Sequence, residues 1–107
     1  MALWWTFEEI IMNIVATGEG GFAGACNRYN IDTALAPEGK ALEAAFEGIG
    51  FFSASADATP DAIGFDLMRW RITADDGARQ HTVSFVEDGS AEAVPWQDLR
   101  QLIKAAQ

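Results

Sequence analysis

The chain has 107 residues, 50% of them apolar, which is enough for one compact domain with its own core. Sixteen Asp and Glu residues against seven Lys and Arg give a net charge of −9. This balance excludes the basic stripe that binds a nucleic-acid backbone and disfavours anionic membrane surfaces, so we expect neither partner. Cys26 is the single cysteine, and an internal disulfide is therefore excluded.

Residues 1–11 differ from the rest in being mostly apolar and aromatic. They lack the basic region and long apolar core of a secretory signal, and no apolar run reaches the ~20 residues of a membrane-spanning helix. We therefore expect a cytoplasmic protein. A second possible start follows at Met12, and Glu8-Glu9 can be encoded by a purine-rich stretch typical of a bacterial ribosome-binding site. Two alternatives stay open for this segment, a translated leader or a genuine extension packed on the single domain of residues 12–107.

The first predicted elements are two strands around a glycine-rich loop. Residues 12–17 resemble a short strand, and residues 26–33 alternate with Tyr29 and Ile31 on one face, which is the period of a half-buried strand. Between them lies Gly18-Glu19-Gly20-Gly21-Phe22-Ala23-Gly24, with four glycines in seven residues. We predict a hairpin with this segment as its loop.

A helix is predicted next, because Pro37 suits a first helical position. Its apolar stripe has helical spacing, and consists of Leu42, Ala45, Phe46 and Ile49. Gly48 and Gly50 end this helix, Phe51-Phe52 follow, and residues 53–62 form a polar loop.

Two further strands and a closing helix complete the chain. Residues 64–74 and 79–87 alternate as strands, joined at Asp75-Asp76-Gly77, a strong hairpin signal. On the first of these strands one face carries Met68, Trp70, Ile72 and Ala74, and the other carries Leu67, Arg69, Arg71 and Thr73. The last helix starts at Pro95 and has an apolar face of Leu99, Leu102, Ile103 and Ala106. The predicted fold is α+β, a four-stranded antiparallel sheet with two helices in the order ββαββα.

The residues do not assemble into a catalytic or metal-binding constellation. The chain has one histidine and one cysteine, and no pair of carboxylates is selected by spacing. We expect His81 to be a satisfied, half-buried residue and Cys26 to be a small core residue. A nucleophilic Cys26–His81 pair is the enzymatic alternative, and it would require adjacent strands. We predict a protein that is not an enzyme and needs no metal or cofactor.

The glycine-rich loop is the most distinctive feature. It partly matches a dinucleotide-binding fingerprint, but a strand follows it where that motif needs a helix, and it lacks a phosphate-binding lysine. Two interpretations of Phe22 stay open. The side chain either folds back and closes the core, which local chemistry alone favours, or it enters the cleft of a partner.

Several motifs, in their order and spacing, resemble the emfourin family over residues 12–104. Gly20-Gly21-Phe22-Ala23-Gly24 is similar to the family's Ser-Gly-Gly-Phe-Ala-Gly signature. The other matching segments are Phe51-Phe52, Trp70–Gly77, His81–Val83 and Leu99–Ile103. The chain departs from the family where Glu19 replaces Ser, Trp70 replaces Tyr and Ala25 replaces a larger apolar residue.

The resemblance implies a function. Emfourins are inhibitors of thermolysin-type, protealysin-like zinc metallopeptidases, often encoded beside the peptidase gene. The resemblance therefore implies that the partner of this chain is such a peptidase, with Phe22 as the anchor of the contact. The implied partner-binding residues are Glu19, Gly20, Gly21, Phe22, Ala23 and Gly24. The alternative is a non-catalytic interaction module with another partner, in which the glycine-rich segment is only a turn.

Overall fold

The computed structural model describes residues 12–20, 25–60 and 67–107, so the predicted leader or extension lies outside the described residues. The elements in chain order are β1 (Asn13–Gly20), β2 (Ala25–Asp32), α1 (Gly39–Ile49), a 3-10 turn (Phe51–Ser53), β3 (Met68–Asp75), β4 (Gln80–Val86) and α2 (Val94–Ala105). The predicted order ββαββα and the α+β class are confirmed.

The four strands form one antiparallel sheet in the order β2-β1-β3-β4. β1 is an interior strand, paired with β2 on one side and with β3 on the other. The two pairings can be seen at Ala16 of β1, which lies opposite Tyr29 of β2 and Ile72 of β3. The chain thus returns from α1 to place β3 beside its first strand, and both predicted hairpins are confirmed.

The helices cover one face of this sheet, because apolar residues alternate along every strand. On β1 the side chains of Ile14 and Ala16 are fully buried, whereas Asn13 and Glu19 on the opposite face are exposed. The buried cluster is formed by Met12, Ile14, Ala16, Ile31, Leu42, Phe46, Phe51, Trp70, Ile72, Ala74, Val83, Phe85, Trp96, Leu99 and Ile103. The predicted inward face of β3 is confirmed, with Met68 packed at the margin of the cluster.

Two boundaries of β3 differ from the prediction. The strand begins at Met68, which lies directly opposite Gly20, the last residue of β1, and Leu67 lies outside the strand. Residues 64–66 of the predicted strand lie outside the described residues. Asp75, predicted in the turn, is the last residue of β3 and lies opposite Gln80. β2 and β4 agree with their predicted bounds to within one residue at each end.

The β3–β4 turn is closed by carboxylates that accept backbone hydrogen bonds. Asp75 Oδ1 accepts from Gly77 N at 2.8 Å, and Asp76 Oδ1 accepts from Ala78 N at 3.0 Å. Desolvation opposes ionisation of Asp76, but hydrogen bonds from the side chain and backbone of Arg79, and from the backbone of Ala78, lower its pKa. Gly77 has a φ of 91°, which a side chain would strain.

α1 carries the predicted apolar stripe but begins two residues later than Pro37. Its first turn closes with Leu42 N donating to Glu38 O at 3.0 Å, so Pro37 lies in the preceding turn. Leu42 and Phe46 are buried. Gly50 ends the helix with a left-handed backbone (φ 68°), and its N–H bonds to the carbonyls of the last turn.

The start of α1 packs tightly against the chain that leaves β2. The buried hydroxyl of Thr33 accepts a hydrogen bond from Met12 N at 2.9 Å and donates one to Glu43 Oε2 at 2.6 Å. A Cβ added to Gly39 would overlap the carbonyl oxygen of Thr33. Glycine at this position therefore allows the helix to approach the sheet.

α2 begins at Val94, with Pro95 in its first turn as predicted. Its buried residues are Trp96, Leu99 and Ile103. The prediction that Leu102 shares this face is wrong, since Leu102 is 46% exposed. The buried face of α2 is formed by Trp96 together with Leu99 and Ile103. Leu102 lies at the margin of this face and lines a shallow groove between the two helices.

The described part of the predicted polar loop, up to residue 60, runs along the outer edge of β4. Ser84 N donates to Ala56 O at 2.8 Å, and Ala58 N donates to Ser84 O at 2.9 Å. The Thr59 hydroxyl accepts from Val86 N at 2.9 Å. His81 Nε2 lies 2.7 Å from Ala54 O, which confirms the prediction of a satisfied, half-buried histidine.

The contrast between two helical glycines is testable. Gly39→Ala should lower the free energy of unfolding by about 1–3 kcal/mol, because the new methyl group overlaps the Thr33 backbone. Gly48→Ala is the matched control, since its Cβ would meet nothing within 4 Å. It should raise stability by up to about 1 kcal/mol, because alanine favours helix. Urea unfolding followed by circular dichroism measures both, and equal effects would contradict the packing described.

Candidate functional site

The glycine-rich segment is partly strand, which corrects the prediction that residues 18–24 form the loop. Gly18, Glu19 and Gly20 belong to β1 and pair on both sides, with β2 and with β3. β1 therefore extends to Gly20, and β2 begins at Ala25. Gly21, Phe22, Ala23 and Gly24 lie outside the described residues, so their role as partner-binding residues stays a prediction.

Gly18 makes room for a large ring. A Cβ at this position would lie 2.7 Å from three atoms of the Trp70 indole, which lies over the glycine from the neighbouring strand. The Trp70 ring is buried at 3% exposure and stacks on Tyr29, with centroids 5.9 Å apart and an interplanar angle of 9°. Tyr29 belongs to β2, so the two rings meet across β1. Because Gly18 has no side chain, Trp70 of β3 can pack over β1 and stack on Tyr29 of β2, which joins three strands near the end of β1.

Gly20 is the point at which β1 gives way to the connecting segment. Its φ is 99°, a backbone conformation that residues with a side chain rarely adopt. A Cβ there would also lie 3.1 Å from the carbonyl oxygen of Leu67. Both observations favour glycine at this strand end.

α2 covers this end of the sheet from the helical side. The Arg100 guanidinium carbon lies 5.2 Å from the centroid of the Trp70 ring, a cation–π distance. Arg100 Nε lies 2.7 Å from Glu87 Oε1, and both side chains are largely shielded from solvent. The base of the connecting segment is therefore held by aromatic stacking and a shielded ion pair.

Glu19 lies on the opposite, helix-free face of the sheet. It is exposed and stands directly opposite Arg69 in β3. Together with Thr17 and Arg71, these two residues line a small depression. Of the predicted site residues, the structure thus describes Glu19 and Gly20, and it places them side by side at the end of β1.

The geometry excludes the Cys26–His81 pair as a catalytic site. Cys26 is on β2 and His81 on β4, the two outer strands of the sheet. His81 is in register with Ile31 through β3 and β1, five positions along β2 from Cys26. Given the usual strand spacing and rise, the two backbones are roughly 20 Å apart.

No metal site is evident in the part of the chain that the structure describes. Among those residues, no group of three or more His, Cys, Asp or Glu side chains could hold a metal ion. Neither α1 nor α2 is long and apolar enough to cross a membrane.

The described residues form a small α+β domain. The glycine-rich end of its β1–β2 hairpin is packed by the stack of Trp70 on Tyr29. The chain belongs to the Emfourin family, since that family's model matches residues 17–107. Comparison with curated proteins and with solved structures gave no match. Family membership suggests a role as a metallopeptidase inhibitor and not as an enzyme.

The packing of Trp70 on Gly18 predicts a specific energetic coupling. Gly18→Ala should lower the free energy of unfolding by about 1–3 kcal/mol, because its methyl group would overlap the indole. In a Trp70→Phe background the outer ring of the indole is gone, so the same change should cost less, with a coupling on the order of 1 kcal/mol. Denaturant unfolding of the four proteins in this cycle measures the coupling. An equal cost of Gly18→Ala in both backgrounds would contradict the contact.

Proposed function

We propose that this chain inhibits a thermolysin-type zinc metallopeptidase by placing the segment around Phe22 in the active-site cleft. The observation that carries the proposal is the family match, which extends over residues 17–107. The described geometry supports it, because the segment joins two strands that are paired up to Gly20 and from Ala25 onward.

The proposed contact depends on a large apolar side chain between small ones. Thermolysin-type enzymes cleave before large apolar residues, so the pocket that normally holds such a residue would take Phe22. The neighbouring Gly21, Ala23 and Gly24 would let the two backbones approach closely. Bound in this way, the segment would exclude the catalytic water from the peptidase's zinc. The zinc belongs to the target, and the inhibitor would supply no metal of its own.

Order at the base of the segment would strengthen this contact. Binding loses affinity when loops of the interface must become ordered. A segment whose ends are already fixed loses less conformational entropy on binding, so this cost is smaller. The Tyr29–Trp70 stack, the Arg100–Glu87 ion pair and the double pairing of β1 fix those ends. The same restraint would oppose cleavage, since a held loop is not free to align its peptide bond with the zinc.

Glu19 would act from the strand and not from the loop. Pairing on both sides fixes its backbone, and its side chain stands on the helix-free face beside Arg69. We therefore propose that its carboxylate contacts a basic residue at the rim of the cleft.

Replacement of Phe22 tests the anchor. Phe22→Ala should raise the inhibition constant roughly 30- to 800-fold, the range of about 2–4 kcal/mol that a central aromatic anchor contributes. Phe22→Leu should retain most of the inhibition, because it keeps a large apolar group. The measurement is titration of thermolysin and of a protealysin-like peptidase with each purified variant.

Leu35→Ala provides a matched control for this test. Leu35 is 82% exposed and follows β2 at the end of the sheet opposite the glycine-rich segment, so its loss should leave inhibition unchanged. Unchanged inhibition by Phe22→Ala would remove Phe22 from the anchor role. Failure of the wild-type chain to inhibit either peptidase would contradict the proposed function and favour the interaction-module alternative.

A further inference from the structure

The helix-free face of the sheet carries an arginine cluster, defined here as Arg28, Arg69 and Arg71. Both helices pack on the other face, and all three arginines are exposed. Arg28 of β2 and Arg71 of β3 stand opposite the same residue of β1, Thr17. Arg69 lies two residues before Arg71 on the same face of β3. Because neighbouring strands are about 4.8 Å apart and residues rise about 3.3 Å along a strand, the three backbones lie within about 12 Å of one another.

This cluster contrasts with the charge of the whole molecule. The chain has seven Lys and Arg residues and a net charge of −9, so three of its seven basic residues are gathered on one face. The surface outside the cluster is correspondingly more acidic than the net charge indicates. The three guanidinium groups are complementary to acidic side chains on a partner, whereas Glu19 beside them is complementary to a basic one.

The cluster also lacks the internal ion pairs that the other arginines make. Arg79 Nη2 lies 2.8 Å from Asp76 Oδ2 and 3.3 Å from Glu47 Oε2, and Arg100 pairs with Glu87. Among the described residues, no carboxylate lies within ion-pair distance of the cluster, although Glu19 stands opposite Arg69 in register. These guanidinium groups therefore face solvent with their hydrogen-bond donors available.

We propose that the arginine cluster is a second contact surface for the target peptidase, binding acidic side chains at the rim of its cleft. This inference rests on the proposed function. A specific interface commonly uses about 20–30 residues from each partner, far more than a short glycine-rich segment supplies. The cluster adjoins that segment, because Arg69 stands opposite Glu19 in the strand register, one residue before Gly20, where β1 ends. A peptidase that received Phe22 in its cleft would bring its rim over this part of the sheet.

Other anionic partners fit the observations less well. Nucleic-acid binding depends on many phosphate contacts, and the acidic remainder of the chain would repel the phosphates that three arginines attract. A second copy of the chain would offer acidic groups too, but it would leave the position of the cluster beside the glycine-rich segment unexplained.

The two contact surfaces should differ in kinetics. Charges at the rim of an interface mainly accelerate association and make it depend on salt, whereas a buried anchor mainly slows dissociation. The cluster should therefore govern the association rate constant, and Phe22 the dissociation rate constant.

The test replaces all three arginines by glutamine, as Arg28→Gln, Arg69→Gln and Arg71→Gln in one chain. Association with thermolysin and with a protealysin-like peptidase is followed by progress curves at about 0.01 M and about 1 M salt, where screening lengths are about 30 Å and about 3 Å. We expect association to slow on the order of tenfold at low salt and by little at high salt. Circular dichroism and urea unfolding check that the variant is folded, which the exposure of all three side chains favours.

Two single variants give a comparison at equal charge. Arg71→Gln should slow association about two- to threefold at low salt. Lys104→Gln removes the same charge from an exposed position near the end of α2. This variant should associate at the wild-type rate, because α2 packs on the other face of the sheet from the cluster.

The outcomes separate this inference from the proposed function. Inhibition by the wild-type chain, with unchanged association kinetics and salt dependence in the triple variant, would overturn the second surface alone. No inhibition by the wild-type chain would overturn the proposed function and this surface with it. Self-association of the wild-type chain in sedimentation, lost in the triple variant, would assign the cluster to a second copy and overturn the inference.

Discussion

The packing of the Trp70 indole over Gly18 determines how the glycine-rich end of the sheet is built. The ring reaches across β1 to stack on Tyr29, which is possible only where the intervening strand has no side chain. Arg100 then covers the indole from α2 and is itself held by Glu87. Because Gly18 has no side chain, the contacts of Trp70 join three strands and a helix next to the end of β1. The proposed insertion of the segment around Phe22 into a peptidase cleft would benefit from this order, because the ends of the segment would be fixed before binding.

The alternation of apolar residues was sufficient to predict most of the fold. Period-two patterns identified the four strands, helical spacing identified both helices, and the turn residues identified the β3–β4 hairpin. Composition was misleading where glycine is concentrated. Glycine contributes nothing to an apolar pattern, so Gly18 and Gly20 indicated a loop, whereas pairing with β2 and β3 keeps both in a strand. The deciding partner of Gly18 is Trp70, far along the chain, and a local pattern does not contain it.

For the candidate site too, local sequence patterns predicted one part, and the other part depends on contacts between residues distant in the chain. The sequence alone singled out the segment around Phe22, and family membership supports an inhibitory role for the chain. The arginine cluster could not be recognised from the sequence. Alternation placed Arg69 and Arg71 on one face of their strand, and Arg28 on one face of another, but nothing local joined the two strands. The pairing of β1 with both β2 and β3 brings these residues together, and that pairing is a property of the folded chain.

The segment that runs along β4 also determines how the sheet can meet other extended chains. Ala56 and Ala58 satisfy the backbone of Ser84, so this outer strand does not offer a continuous free edge. Fibrillar stacking requires an acceptor edge on both sides of each sheet, since every added strand must expose a new one. Among the described strands, the edge without a neighbour is β2, whose Arg28 and Asn30 are exposed and polar. Edge-to-edge addition of an extended chain to this sheet would therefore be favoured at β2 and hindered at β4 around Ser84.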